Sequence, residues 1–227
     1  ERVFVVSKKQ LTSEAIWVPE KAYPFDMADV GTELFHGKQE WLQRRFCRTG
    51  WYLQQLLKLY APVAIPDLSE YFLIVDSDIV FYRDVELFCQ GVPCYGTSHE
   101  NWRPYFDHMA KLLPGLRRFS DVSGIVHHML MSRSVLDRLK QEVETLWHRP
   151  FWKSFLGLVE PGEGCGASEY EIYFNYLQLR GYPIKLKPTS WIQRYVEQGQ
   201  EEGFQGLWDF VVYEKTSPGL GWPACVE

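Results

Sequence analysis

Apolar and polar positions switch between two periods along this chain, and the switches mark its elements. Arg2 to Ser7 (RVFVVS) is a short β-branched run and predicts a buried strand. Residues 12 to 45 hold no sustained period, because Pro19, Pro24, Gly31 and Gly37 interrupt it; they predict loop with short helical pieces. Leu53, Leu56, Leu57 and Tyr60 then recur at i, i+3, i+4 and i+7, the stripe of an amphipathic helix that Pro62 stops. Tyr71 to Val75 (YFLIV) is a continuous apolar run, the pattern of a strand buried on both faces. Val92 to Thr97 and Gly124 to Met131 predict two more strands. Ser132 or Ser134 caps a helix carrying Val135, Leu136, Leu139, Val143 and Leu146. Glu160 to Gly166 (EPGEGCG) predicts a mobile loop, and Ser168-Glu169-Tyr170-Glu171 opens a capping-box helix that Gly181 ends. Residues 182 to 227 hold one apolar run, Phe210 to Tyr213, in a wrapping tail. Strands alternate with helices and nothing repeats, so the pattern predicts an α/β fold in a single domain over residues 1–227.

Composition narrows the partners. The chain has 227 residues, 46% of them hydrophobic, which suffices for one substantial core, and no run reaches membrane-spanning length. The net charge of -5, with basic residues scattered along the chain, argues against nucleic acid as a partner. Five cysteines, odd in number and without a C-x-x-C pair, argue against a disulfide framework and lead us to expect a reducing, cytoplasmic setting. Glu1 directly precedes the first strand, so a trimmed targeting segment, anchor or first structural unit is also expected. Aromatics make up 16% of the residues, with nine Trp; most fill cores, and some suit docking against sugar rings.

The segment richest in chemistry is YFLIVDSDIVFYRD, residues 71 to 84. Residues two apart in extended chain point the same way, so Asp76 and Asp78 present two carboxylates where the strand emerges. Paired oxygen ligands at the carboxyl end of a strand suit Mn²⁺ or Mg²⁺, which leave positions for substrate phosphates. The plainer reading is a pair of solvated turn carboxylates.

IVDSDIVFYRDVELF resembles the D-x-D segment of GT-A glycosyltransferases. The order of RTGWYLQQLLKLY, the D-x-D strand, HHML and SEYE is similar to a little-characterised family of such enzymes from bacteria, algae and large viruses. The resemblance spans roughly residues 2 to 192. It implies a Rossmann-like GT-A fold, a mixed sheet flanked by helices, in which RVFVVS is the second strand and the first strand and helix are missing. It implies a nucleotide-sugar donor, a glycan or other hydroxyl acceptor, and a divalent metal on Asp76 and Asp78, with Ser77 between them at the donor diphosphate. In the matching helix a polar face reaches the donor. Trp51, Gln55 and Lys58 fall on one face here, with Arg48 one turn earlier, although such a face is often merely solvated. Ser123-Gly124 matches a turn that lies under the donor sugar in some of these families, where glycine allows close approach. His127 and His128, read as consecutive strand residues, face opposite ways, so one of them faces the site; the sequence leaves open which. Many GT-A enzymes carry a third metal ligand, often a late histidine, and no histidine follows His148.

A carboxylate is needed to accept the acceptor's proton if the reaction inverts, the outcome we favour. Glu169 and Glu171 follow the flexible loop. With Ser168 as cap, Glu171 has the local duty of closing the capping box, which leaves Glu169 as the general base. Two alternatives remain. A degenerate module of the same fold would bind sugar or nucleotide without turnover. A haloacid-dehalogenase-type phosphatase also begins with a strand ending in D-x-D, but here about 75 residues precede the motif and no Asp-Asp pair follows it.

Overall fold

Local signals and burial together explain where the elements fall. The computed structural model describes residues 2–35, 49–160, 164–195 and 208–214. It is mixed α/β, with ten strands and seven α-helices among those residues. β1 (Phe4–Ser7) pairs in parallel with β2 (Ile16–Pro19). Helix α1 (Met27–Leu34) opens on a reciprocal capping box: the Asp26 carboxylate accepts from the N–H groups of Ala28 and Asp29, and Asp29 accepts from Asp26 N–H. The strand β2 and the box D-x-x-D were hidden in a stretch expected to be mostly loop.

Helix α2 (Thr49–Leu59) buries Tyr52, Leu53, Leu56 and Leu59, each worth roughly 1.5–3 kcal/mol of removed apolar surface. It ends before Pro62, which sits in a separate short helix, α3 (Ala61–Ala64). β3 (Tyr71–Val75) has the predicted bounds but not the predicted burial: only Phe72 is buried, and Tyr71 and Val75 are exposed. Among the described residues its one ladder, antiparallel, is with β7 (His128–Ser132), and β7 is buried at every position. The strand expected from Gly124 thus begins at His128, because His127 adopts a left-handed backbone (φ 58°) that ends the ladder.

Beyond β3 the chain crosses to another sheet. β4 (Ile79–Phe81) pairs with β10 (Phe210–Glu214), which also pairs with β9 (Trp191–Tyr195). β5 (Phe88–Cys89), β6 (Val92–Thr97) and β8 (Lys185–Pro188) form a third group. Among the described residues the strands therefore divide into four small sheets rather than one. α4 (Arg103–Leu112), α5 (Arg133–Trp147, capped by Ser132), α6 (Phe151–Gly157) and α7 (Glu169–Leu179) complete the described helices. α7 is buried almost all round and carries Tyr170, Ile172, Tyr173, Phe174, Tyr176 and Leu177 into one continuous core shared with α2, α5 and β7. No described helix is long and apolar enough to cross a membrane. Cys165 is disulfide-bonded, while Cys89 and Cys94 are free. The sequence reading, which argued against a disulfide framework, did not anticipate this bond. Cysteine spacing carries no information on which distant segments fold together.

Candidate functional site

Asp76-Ser77-Asp78 bridges two sheets. Asp76 N–H donates to the His127 carbonyl at 2.9 Å, closing the β3/β7 ladder, and the Asp78 carbonyl accepts from Tyr213 N–H at 2.7 Å, joining the motif to β10. This fixes the backbone on both sides while Ser77 and Asp78 stay exposed.

The Asp76 side chain turns inward, into a cluster supplied by three other segments. From α2, Lys58 Nζ lies 2.5 Å from Asp76 Oδ1 and 2.6 Å from Glu169 Oε1. From α7, the Tyr170 hydroxyl donates to Asp76 Oδ1 at 3.1 Å, and its ring lies 4.4 Å beneath the Lys58 ammonium. From the left-handed turn, His127 Nδ1 lies 3.2 Å from Asp76 Oδ2. Gln55, one helical turn before Lys58, accepts the Glu169 N–H on Oε1 at 2.9 Å, while its buried Nε2 has no partner. Burial alone would raise the Asp76 pKa, but the His127 hydrogen bond and the Lys58 charge outweigh it and hold the carboxyl below its ordinary value. Burial likewise works against the Lys58 ammonium, and Glu169 and Asp76 reverse that effect, so its pKa is raised. Asp78 is pushed the other way, upward, by partial burial and then by the nearby Asp76 charge.

Gln55, Lys58, Asp76, His127 and Glu169 thus come together from sites far apart in sequence. The histidine ambiguity resolves through the turn: His127 meets Asp76, and His128 points into an apolar cluster, edge-on to Phe81 and Phe210 at 5.2 and 5.4 Å. Burial lowers the His128 pKa. Trp51 stacks on Tyr105 with ring centroids 6.3 Å apart. Arg48 lies outside the described residues, as does the middle of the predicted mobile loop, residues 161–163.

A second polar group lies on the other side of the first turn of α7. Ser168 caps the helix by accepting from Glu171 N–H, but the Glu171 carboxylate does not close the predicted box. It is drawn into the interior instead, where Ser123 Oγ donates to it and Asn175 Nδ2 donates at 2.7 Å. Burial raises the Glu171 pKa, and these neutral donors offset only part of the effect. Gly124, expected beneath a sugar, packs against Phe174: a Cβ there would come within 2.6 Å of Phe174 Cβ and Cγ. Its lack of a side chain serves the core.

Tyr170 was missed, though it stands between the two glutamates singled out. Nothing in its sequence context marks a hydroxyl that reaches back to Asp76.

Two cavities lie nearby without including Asp76. One, of about 50 Å³, is lined by Phe81, Tyr95, His128 and Phe210; the other, of about 480 Å³, by Trp17, Phe25, Met27 and Leu53.

A polar centre of this kind at a strand end defines an α/β protein with a charged site. The chain belongs to a family of unknown function, DUF6492, whose profile matches residues 1–202. No curated protein matches the sequence.

Proposed function

We propose that this chain is a metal-dependent glycosyltransferase of the GT-A type. It would transfer a sugar from a nucleoside diphosphate sugar to a hydroxyl of a glycan or other acceptor. The observation that carries the reading is the convergence of Gln55, Lys58, Asp76 and His127 at the carboxyl end of β3, with Asp78 two residues on. The resemblance assigns these residues to donor and metal, and three separate segments bring their side chains together.

The acidic pair fits a divalent cation. Asp78 makes no ion pair among the described residues, and its pKa is raised by partial burial first and then by the nearby Asp76 charge. Asp76 Oδ2 takes only His127 and keeps a lone pair. The described residues hold no cluster of three or more His, Cys, Asp or Glu side chains suited to a metal, so water and substrate oxygens would complete the shell. Mn²⁺ or Mg²⁺ on Asp76 and Asp78 would neutralise charge on the departing diphosphate. The protein's own part is positional. Lys58 holds a fixed positive charge beside Asp76, and the free Nε2 of Gln55 offers a donor to a substrate oxygen. Glu169 holds Lys58 in place from the other side.

A panel of nucleotide sugars tested for Mn²⁺-dependent release of nucleoside diphosphate checks the reading. Asp76→Ala and Asp78→Ala are expected to abolish release and metal-dependent nucleotide binding. Near-native turnover in both variants and in EDTA would sink it. The direct Lys58–Asp76 pair also suits a binding module that works without metal; nucleotide binding insensitive to EDTA, with no turnover, would select that alternative.

A further inference from the structure

Neither glutamate of α7 is well placed to take a proton from an incoming hydroxyl. Glu169 is 4% exposed and pinned to the Lys58 ammonium, and Glu171 is 1% exposed behind Ser123 and Asn175. A third carboxylate differs from both. Glu100 is half-buried, and among the described residues its side chain makes no ion pair or hydrogen bond.

The segment that carries Glu100 is held at both ends. Ser98 exchanges two backbone hydrogen bonds with Ser123, at 2.9 and 3.0 Å, and its Oγ accepts the Glu100 N–H. On the far side Asn101 accepts from Arg118 at 2.7 Å, and the Trp102 indole donates to the Cys165 carbonyl at 2.8 Å. Ser123 is four residues before His127 and bonds the first turn of α7, which also carries Glu169 and Tyr170. The Glu100 segment is thus anchored to Ser123 and, through it, to the first turn of α7, and Glu100 lies within electrostatic reach of His127, the residue that contacts Asp76.

We propose that Glu100 is the catalytic base that accepts the proton of the acceptor hydroxyl, an assignment that rests on the glycosyl-transfer reading. As the hydroxyl oxygen bonds to the anomeric carbon, its proton passes to the Glu100 carboxylate. The bond from that carbon to the diphosphate breaks, and both its electrons leave on the nucleoside diphosphate. Two titratable groups face Glu100 electrostatically, His127 and Glu171. Partial burial raises the Glu100 pKa and His127 moderates the rise, which gives a carboxylate more basic than an exposed one.

The test uses the nucleotide sugar that supports Mn²⁺-dependent release by the unsubstituted protein. Glu100→Gln is expected to lose about 10²–10⁴-fold in kcat. Affinity for the matching nucleoside diphosphate with Mn²⁺, read by calorimetry, should stay within about twofold. The fall of kcat toward acid pH should disappear in Glu100→Gln and persist in Glu100→Asp, which keeps a titrating group. A kcat within about threefold of the parent, or nucleotide affinity lost in step with kcat, would overturn the assignment and leave the transfer reading standing. Absence of release from every nucleotide sugar by the unsubstituted protein would overturn both.

Discussion

Asp76 meets a lysine, a tyrosine hydroxyl and a histidine; Glu171, on the far side of the first turn of α7, meets a serine hydroxyl and an asparagine amide. Both carboxylates are largely out of water, and burial raises the pKa of each. At Asp76 a full positive charge and a histidine reverse the effect. At Glu171 neutral donors leave it uncorrected. Depth of burial therefore does not by itself decide which way the pKa of an acidic side chain moves in this molecule; the sign of its partner does. The Asp76 group borders the exposed part of the D-x-D turn, and Glu171 is sealed behind Ser123 and Asn175, as suits a site and its support.

The largest effect is expected where the compensating cation is removed. Lys58→Met leaves Asp76 and Glu169 facing each other without the charge between them, and breaking a buried pair from one side costs about 3–5 kcal/mol. Denaturant midpoints measure it. Adding Asp76→Asn and Glu169→Gln to Lys58→Met should recover most of the loss. A loss below about 1 kcal/mol would place Lys58 in a solvated role instead.

A smaller effect is expected on the sealed side. Gly124→Ala drives a Cβ into Phe174, and overpacking of this kind costs about 1–3 kcal/mol. The resemblance gives Gly124 a place under the donor sugar, which would make the same change costly to transfer at unchanged melting temperature. Thermal denaturation beside kinetics separates the two.

These contrasts trace what was legible in the sequence. The bounds of β3 and β6, the cap of α5 and the opening of α7 were read from period and capping residues, because both act over a few neighbours. The exposure of Tyr71 and Val75 was not legible, since it depends on β3 pairing, among the described residues, with one strand rather than two. The fate of Glu171 was misread for a similar reason: a local capping duty lost to long-range bonds with Ser123, 48 residues away. His127 and His128 could not be told apart while both were assigned to a strand, and the left-handed turn that separates them has no glycine to announce it. Lys58 and Gln55 were singled out by helical spacing, but their union with Asp76 required the packing of α2 on α7. Glu100 carried no signal at all, being one acid in a polar loop.

The smallest effect is also the most direct check on the contrast between the two carboxylates. The folded-state pKa of Glu171 is raised, so between its unfolded and folded values the native chain binds a proton that the unfolded chain has released. Its contribution to stability is fully present below the unfolded pKa and is lost as pH rises through the folded one. Glu171→Gln keeps the shape and carries no titrating proton. Near pH 4 the two proteins should differ by less than about 1 kcal/mol, since a protonated Glu171 and a glutamine offer similar hydrogen bonding. As pH rises above the ordinary carboxylate range the variant should gain on the parent, by about 1.4 kcal/mol for each unit of the shift. Urea midpoints collected from pH 4 to 8 read the difference. Asp76→Asn should show the reverse slope, with the parent gaining on the variant as pH rises from acid, because the Asp76 pKa is lowered and its stabilisation is lost as pH falls through the folded value. Parallel stability curves for Glu171→Gln and its parent would mean that Glu171 stays charged and compensated like Asp76, and the contrast between the two sides of α7 would fail.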